Sequence, residues 1–355
     1  MHRLGEPGDA DCSGCPLTIK VAEKRRVDMW IAGQAMSGTG LQRSFGGGLN
    51  WAPIGVIRLG AALEHADVVP SFDQLEAPLV TTVARVFDYT RRQVAEPIWT
   101  TGGNPGLQRG SRQTFTLSAL LQPLSNQDLM LNLNYRRTVA RAGGQGFPEL
   151  SPAVEAAFPD RVTRDVSGQL IAVDARAINI VRDIDTSLLS GVALHFVSGG
   201  RDALQFTLSL NHNWRLKSET LIRPGVPVID RLGGGGVSRH MLDVQLAAGK
   251  RGMGASVNMR WSGQASIDQG AGNDALRIRP PVILDASAFI DLDRYLPEWK
   301  GRKLGKNLNI SLSIANLLNG YSHVRLQDGH APAGFSRDEI DPLGRTIRLA
   351  VRKRF

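Results

Sequence analysis

Cys12 and Cys15 stand two residues apart, the spacing at which two thiolates can share a zinc ion or close a disulfide. A zinc site needs further ligands, and no second pair of this spacing follows. A thioredoxin-like redox pair needs a strand–helix setting, which the flanking residues lack. The pair therefore reads first as a small disulfide-closed turn, suited to an oxidising compartment. The seven histidines (His2, His65, His195, His212, His240, His323 and His330) are scattered. None forms the H-x-x-x-H spacing that would set two imidazoles on one helix face. Gly233-Gly234-Gly235-Gly236 lacks the following helix whose N–H groups would hold a phosphate, so it reads as a flexible loop tip. No G-x-S-x-G elbow or P-loop lysine occurs. Asp291 and Asp293 share one face of a strand-like segment, where they suit either a lumen or ordinary solvated positions. Asp328 and His330, in the last long loop, are candidate ligand-contacting residues. These residues point to no catalytic group, metal or cofactor, and the expectation is a protein that is not an enzyme.

The elements that position these residues must be strands. The 355 residues include 39 glycines and 18 prolines, spread along the whole chain. Long runs of Ala, Glu, Lys and Leu are missing, so the composition favours many strands joined by turns. The net charge is +9. The cations alternate with apolar residues instead of forming a stripe interleaved with aromatics, which argues against a nucleic-acid partner. No run approaches the roughly 18 apolar residues of a membrane helix. Met1 to Asp11 do not read as a secretory signal. If the chain meets a membrane, it must cross as a barrel.

Two faces recur along the strands. Ile347, Leu349, Val351 and Phe355 alternate with Thr346, Arg348, Ala350, Arg352 and Arg354. Leu308, Ile310, Leu312 and Ile314 alternate with Asn309, Ser311 and Ser313. Successive strand side chains point to opposite faces, so each segment has an apolar face and a polar one. Many segments last about ten residues, the length that crosses a bilayer at a tilt. Sandwich strands usually run nearer five or six. Aromatics near segment ends (Trp51, Tyr135, Trp214, Trp261 and Phe355) suit the interfacial girdles of a barrel.

Thirteen segments carry the pattern, near 16–23, 27–35, 42–52, 56–66, 111–122, 129–138, 187–196, 203–217, 240–248, 253–262, 282–293, 308–316 and 345–355. Between them, short turns alternate with long connections at about 67–110, 139–186, 218–239, 263–281 and 317–344. Only the connection near 294–307 is longer than this scheme wants. The reading is an all-β, antiparallel transmembrane β-barrel, partial at about 13 strands, with short periplasmic turns and long extracellular loops. A soluble all-β binding protein, such as a carbohydrate-binding sandwich, is the alternative; its apolar faces would turn inward into a core.

Several segments together resemble the C-terminal barrel of TonB-dependent outer-membrane receptors. Val69-Pro70-Ser71-Phe72-Asp73-Gln74-Leu75 resembles that family's Arg-Ala-Pro-Ser…Glu-Leu stretch, with Val69 in place of Ala. Gly103-Asn104-Pro105-Gly106-Leu107 resembles its Gly-Asn-Pro-Asp-Leu, without the Pro-Glu that follows. Phe158-Pro159-Asp160-Arg161-Val162 with Arg164-Asp165 is similar to a segment of some large members. Asn316-Leu317-Leu318-Asn319 and Gly344-Arg345-Thr346 to Phe355 resemble the closing pattern. The resemblance covers residues 27–355, while 1–26 form an N-terminal segment that matches weakly.

The resemblance implies an outer-membrane transport receptor for a scarce nutrient of the siderophore, cobalamin or glycan class. Such receptors carry a plug and a barrel of about 22 strands, so this sequence reads as a truncated or split product. The implied partners are outer-membrane lipid, the barrel-assembly machinery, a small-molecule or glycan ligand, and the TonB system only through a missing plug. Ile347, Leu349, Val351 and Phe355 would form the strand that the assembly machinery recognises.

Overall fold

The structure is a computed structural model. It describes residues 19–20, 26–37, 41–124, 128–148, 150–198, 200, 203–224, 227–267, 275–295, 298–299, 302–303, 307–332, 334–341 and 343–353. Cys12, Cys15 and Phe355 lie outside the described residues.

Twelve long strands make the body: β1 (Arg26–Ser37), β2 (Leu41–Ile54), β3 (Ile57–Val68), β4 (Gly110–Leu121), β5 (Asp128–Arg141), β6 (Arg182–Val197), β7 (Gln205–Leu221), β8 (His240–Lys250), β9 (Met253–Ser262), β10 (Ile283–Asp291), β11 (Leu308–Ala315) and β12 (Thr346–Lys353). Each pairs antiparallel with its sequence neighbour. Ile19–Lys20 adds a short thirteenth strand beside β1, within the segment expected at 16–23. The sheet is open, because β12 and the strand at Ile19–Lys20 do not pair with each other.

Local chemistry sets the turns. Arg251 and Gly252 both have positive φ, 40° and 79°, which gives the two-residue hairpin twist that matches paired strands. Lys250 therefore sits across from Met253. At the β2–β3 turn, Pro53 falls in a register shift between Trp51 and Ile54, where its missing N–H breaks no ladder bond. The connection at 292–307 holds a short helical turn, Leu292–Arg294, and a small hairpin, Glu298–Trp299 with Arg302–Lys303.

The register gathers the apolar residues on one side of the whole sheet. Ile57, Leu121, Leu131, Val192, Leu210, Val244, Met259 and Leu284 are successive cross-strand partners from β3 to β10. Ala286, Ile314 and Ile347 carry the row onward. Ile310 faces Val351 and Leu312 faces Leu349. This face is exposed on strands inside the sheet: Leu59, Leu63, Leu117, Leu133, Leu246 and Leu312 are 37–57% accessible. A sandwich would have buried these residues in its core, so the soluble alternative fails on this geometry. Left in water, each such side chain forgoes about 1.5–3 kcal/mol of burial, and soluble proteins seldom expose contiguous apolar patches this wide.

Aromatics mark both ends of the apolar face. Phe196 and Phe206 pair near the short-turn end, as Trp51 lies near it on β2. Trp214, His240 and Trp261 lie toward the long-loop end. Phe206 and Trp214 are eight residues apart on β7, roughly 27 Å along a strand. Tyr135 departs from the expectation and sits near the middle of β5.

The hydrophobic core is elsewhere. Among the buried apolar side chains described, only Ile184 belongs to a long strand. The rest lie in or beside the long connections, which fold together as a cap instead of remaining structureless. One core joins Val154, Ala157 and Phe158 to Ile178, Ile180 and Ile222. Another joins Phe87 and Tyr89 to Ile267, Leu276 and Val324. A third holds Ala95, Leu150, Leu170 and Val173. Small sheets stitch the connections together: Leu170–Asp174 runs parallel to Ile98–Thr101, and Leu276–Arg279 pairs with His323–Arg325.

Candidate functional site

The segments that carry the family resemblance meet in space. Ser71 caps α1 (Phe72–Glu76): its Oγ accepts from Gln74 N, and the Gln74 side chain accepts from Ser71 N. This capping box gives the Ser71–Gln74 spacing its physical meaning. Gly103 N then donates to Ala77 O at 2.9 Å, and Asn104 N to Gln74 O at 2.7 Å. A Cβ on Gly103 would lie 2.5 Å from Leu75 O, so only glycine permits this approach. At the closing pair, Asn319 Oδ1 accepts from Arg345 N at 3.1 Å. Gly344, with φ +57°, packs against the same Asn319 oxygen.

The third segment supplies an ion-pair hub. Arg164 donates to both carboxylate oxygens of Asp88 and both of Glu155, at 2.7 to 3.0 Å. Glu155 lies on α2 (Pro152–Ala157), which Ser151 caps through Val154 N. Hydrogen bonds to Glu155, then to Asp88, hold the Arg164 guanidinium above its ordinary pKa. Nearby, burial lowers the pKa of Arg161, which lies over the Phe147 and Phe158 rings.

A second hub lies where β6 and β7 enter their long connections. Asp183 and Asp185 sit at the long-loop end of β6, across from Thr220 and Ser218 of β7. Arg231, from the connection after β7, reaches Asp183 at 3.1 Å, Asp185 at 2.7 Å and Ser218 Oγ at 2.8 Å. Thr220 Oγ donates to Asp183 at 2.6 Å, and Ser218 Oγ to Asp185 at 2.7 Å. The connection is thus fastened to the sheet by one arginine bridging two carboxylates.

Between these hubs lies a cavity of about 910 Å³, within the upper range of ligand pockets. Val154, Ile180, Ile229 and Ile267 form its apolar walls, and Asp230 and Arg231 are its charged lining. Gly233, Gly234 and Gly235 form another wall. The glycine run is therefore not the flexible tip that its composition suggested. Gly236 N donates to Ser266 O at 2.9 Å, and Ser266 Oγ to Gly233 O at 3.0 Å. A Cβ on Gly235 would stand 2.5 Å from Arg231 Cα. The run is a tight wedge that needs glycine for close packing.

The remaining candidate residues are more dispersed. Asp328 and His330 form an exposed turn, with His330 N donating to Asp328 at 2.9 Å. They do not border this cavity. Asp291 lies on the polar face and accepts from Asn309 at 2.6 Å. Asp293 does not share its strand face, because the chain turns into Leu292–Arg294 there. Among the described residues, no cluster of His, Cys, Asp and Glu could hold a metal ion. One pairing the sequence did not announce is His212 with His240, Nε2 to Nδ1 at 3.2 Å, on the apolar face beside Trp214. Their separation of 28 residues hides it, and only the β7–β8 register brings them together.

No family model matches the chain, and no curated protein does. Among solved structures it is similar to the ferric enterobactin receptor PfeA of Pseudomonas aeruginosa, a mutant in complex with enterobactin. That match has a TM-score of 0.50 and 15% identity, and covers 85% of this chain and 39% of the receptor. A second mutant of that receptor matches at TM-score 0.44 and 14% identity, over 83% of this chain and 40% of the receptor. The chain spans about two fifths of the receptor's length. The likeness is one of fold: a nearly all-β chain whose large antiparallel sheet corresponds to part of a receptor barrel.

Proposed function

We propose that residues 27–355 are the C-terminal barrel portion of an outer-membrane receptor of the TonB-dependent type, which captures a scarce nutrient at its cap. One observation carries this reading: a continuous apolar face runs outward across the sheet while the buried core lies in the connections above it. A bilayer satisfies that face, and the antiparallel ladders pair the backbone groups of the strands inside the sheet. The short turns then face the periplasm and the cap faces outside. In this reading residues 27–355 form wall and cap, and coupling to the TonB system runs through a plug. The siderophore, cobalamin and glycan classes are the transported ligands this family reading admits, with Asp328 and His330 as loop contacts at the cap's outer turn.

Vesicle flotation tests the reading. The chain refolded with phospholipid vesicles floats with them and resists carbonate extraction. A chain that stays in the soluble fraction would sink the proposal. Ile347, Leu349, Val351 and Phe355 serve as the assembly-recognition strand: deleting Phe355 lowers insertion in cells, and unchanged insertion rejects that role.

A further inference from the structure

The cap cavity has an electrostatic character that narrows its ligand. Its charged lining among the described residues is Asp230 and Arg231. Arg231 is not available to an incoming anion, because two carboxylates already neutralise it. Asp183 and Asp185 lie 3.1 and 2.7 Å from its guanidinium. It donates three of its five N–H groups, to Ser218, Asp183 and Asp185, and its Nη1 lies 3.1 Å from Asp183. Of the two charged residues described in the lining, the cation is thus taken up by Asp183 and Asp185, and the carboxylate is Asp230. Asp230 itself is exposed, with one carboxylate oxygen taken by Leu232 N at 2.9 Å.

A polyanion entering here meets the Asp230 carboxylate and, among the described lining residues, no cation that is not already paired. A cation meets attraction, and a neutral ligand of apolar surface meets Val154, Ile180 and Ile229. We infer that this cavity is a binding site for a compact, largely apolar ligand that is cationic or neutral, and that it rejects polyanions. The inference rests on the receptor reading and names the ligand class for it.

Equilibrium dialysis of the full chain in detergent micelles tests the assignment, with three probes of different charge. Ferrioxamine B is a cationic iron complex, cyanocobalamin is neutral, and ferric enterobactin is a trianion. Ferrioxamine B or cyanocobalamin binds saturably, and ferric enterobactin binds at least about tenfold more weakly. Ala156 lines the cavity and is exposed on α2; Ala156→Trp fills the space and lowers binding of the favoured probe by about tenfold or more. Asp230→Lys reverses the lining charge and weakens ferrioxamine B relative to ferric enterobactin. Equal or tighter binding of ferric enterobactin to the wild-type chain would overturn the inference, as would unchanged binding by Ala156→Trp. Wild-type protein that floats with vesicles yet binds neither the cationic nor the neutral probe also overturns it, while leaving the membrane reading intact. Protein that fails to float removes the receptor reading and this inference together.

Discussion

Arg164 closes both prongs of its guanidinium on Asp88, at 2.8 and 3.0 Å, across 76 residues of sequence. Asp88 is 1% exposed, and Glu155 takes the other edge of the same guanidinium. The hub pins the connection after β3 to the one after β5. Asp88→Ala leaves Arg164 paired with Glu155 alone and removes charge-assisted hydrogen bonds worth about 1.5–3 kcal/mol, and it should destabilise the cap by about that amount. Urea unfolding followed through Trp99, which packs in the same region, gives the value. A loss below about 1 kcal/mol would mean that the hub is not what holds these connections.

The outward face makes a contrasting pair of expectations. Leu312 lies mid-strand on β11, across from Leu349. Leu312→Arg should cost about 2–4 kcal/mol of stability in a bilayer, the usual charge for the middle of a barrel's lipid face. Ser256 points to the polar face, across from Ser287. Ser256→Lys should change stability by only about 0.5 kcal/mol. Reversible unfolding in vesicles measures both; equal effects would remove the distinction between the faces.

Gly235 is a packing position, because its added Cβ would meet backbone and not a flexible side chain. Gly235→Ala should cost about 1–3 kcal/mol through overpacking. Gly146, beside the same cavity, has open space where a Cβ would stand, and Gly146→Ala is the neutral control. Thermal unfolding of the two variants compares them directly.

The turn before β12 depends on pH. Ser336 and then Arg85 hydrogen-bond the Glu339 carboxylate and hold its pKa down at about 2, from an ordinary 4.5. A carboxyl with a depressed folded pKa stabilises the structure when ionised, so its contribution is present above pH 4.5 and fades as pH falls toward about 2. Protection factors across α3 (Arg337–Ile340), which remove the intrinsic pH dependence of exchange, should therefore fall over that window. In Glu339→Gln that fall should be absent, and wild-type protection factors that ignore pH there would refute the coupling.

The long strands were legible because their chemistry repeats at period two. The alternation at Leu308–Ile314 and Ile347–Val351 fixed both the elements and the face each residue shares, and the structure pairs them directly. The short connection between 240–248 and 253–262 was also visible, as Gly249-Lys250-Arg251-Gly252, and the structure tightens it to a two-residue turn at Arg251-Gly252. The cap was not. Its residues have no long period, and its contacts cross large gaps in sequence, as Arg164 with Asp88 or Arg231 with Asp183 do.

Sequence alone determined the strand class, the two-faced walls and the alternation of short and long connections, because local geometry ties side-chain direction to residue parity. Tertiary structure decided the rest. It turned a glycine run from a presumed flexible tip into a packed wedge, left Asp328 and His330 apart from the cavity, and set Arg231 between two carboxylates. Those outcomes depend on which distant segments meet, and a single buried ion pair between loops leaves no periodic trace in the chain.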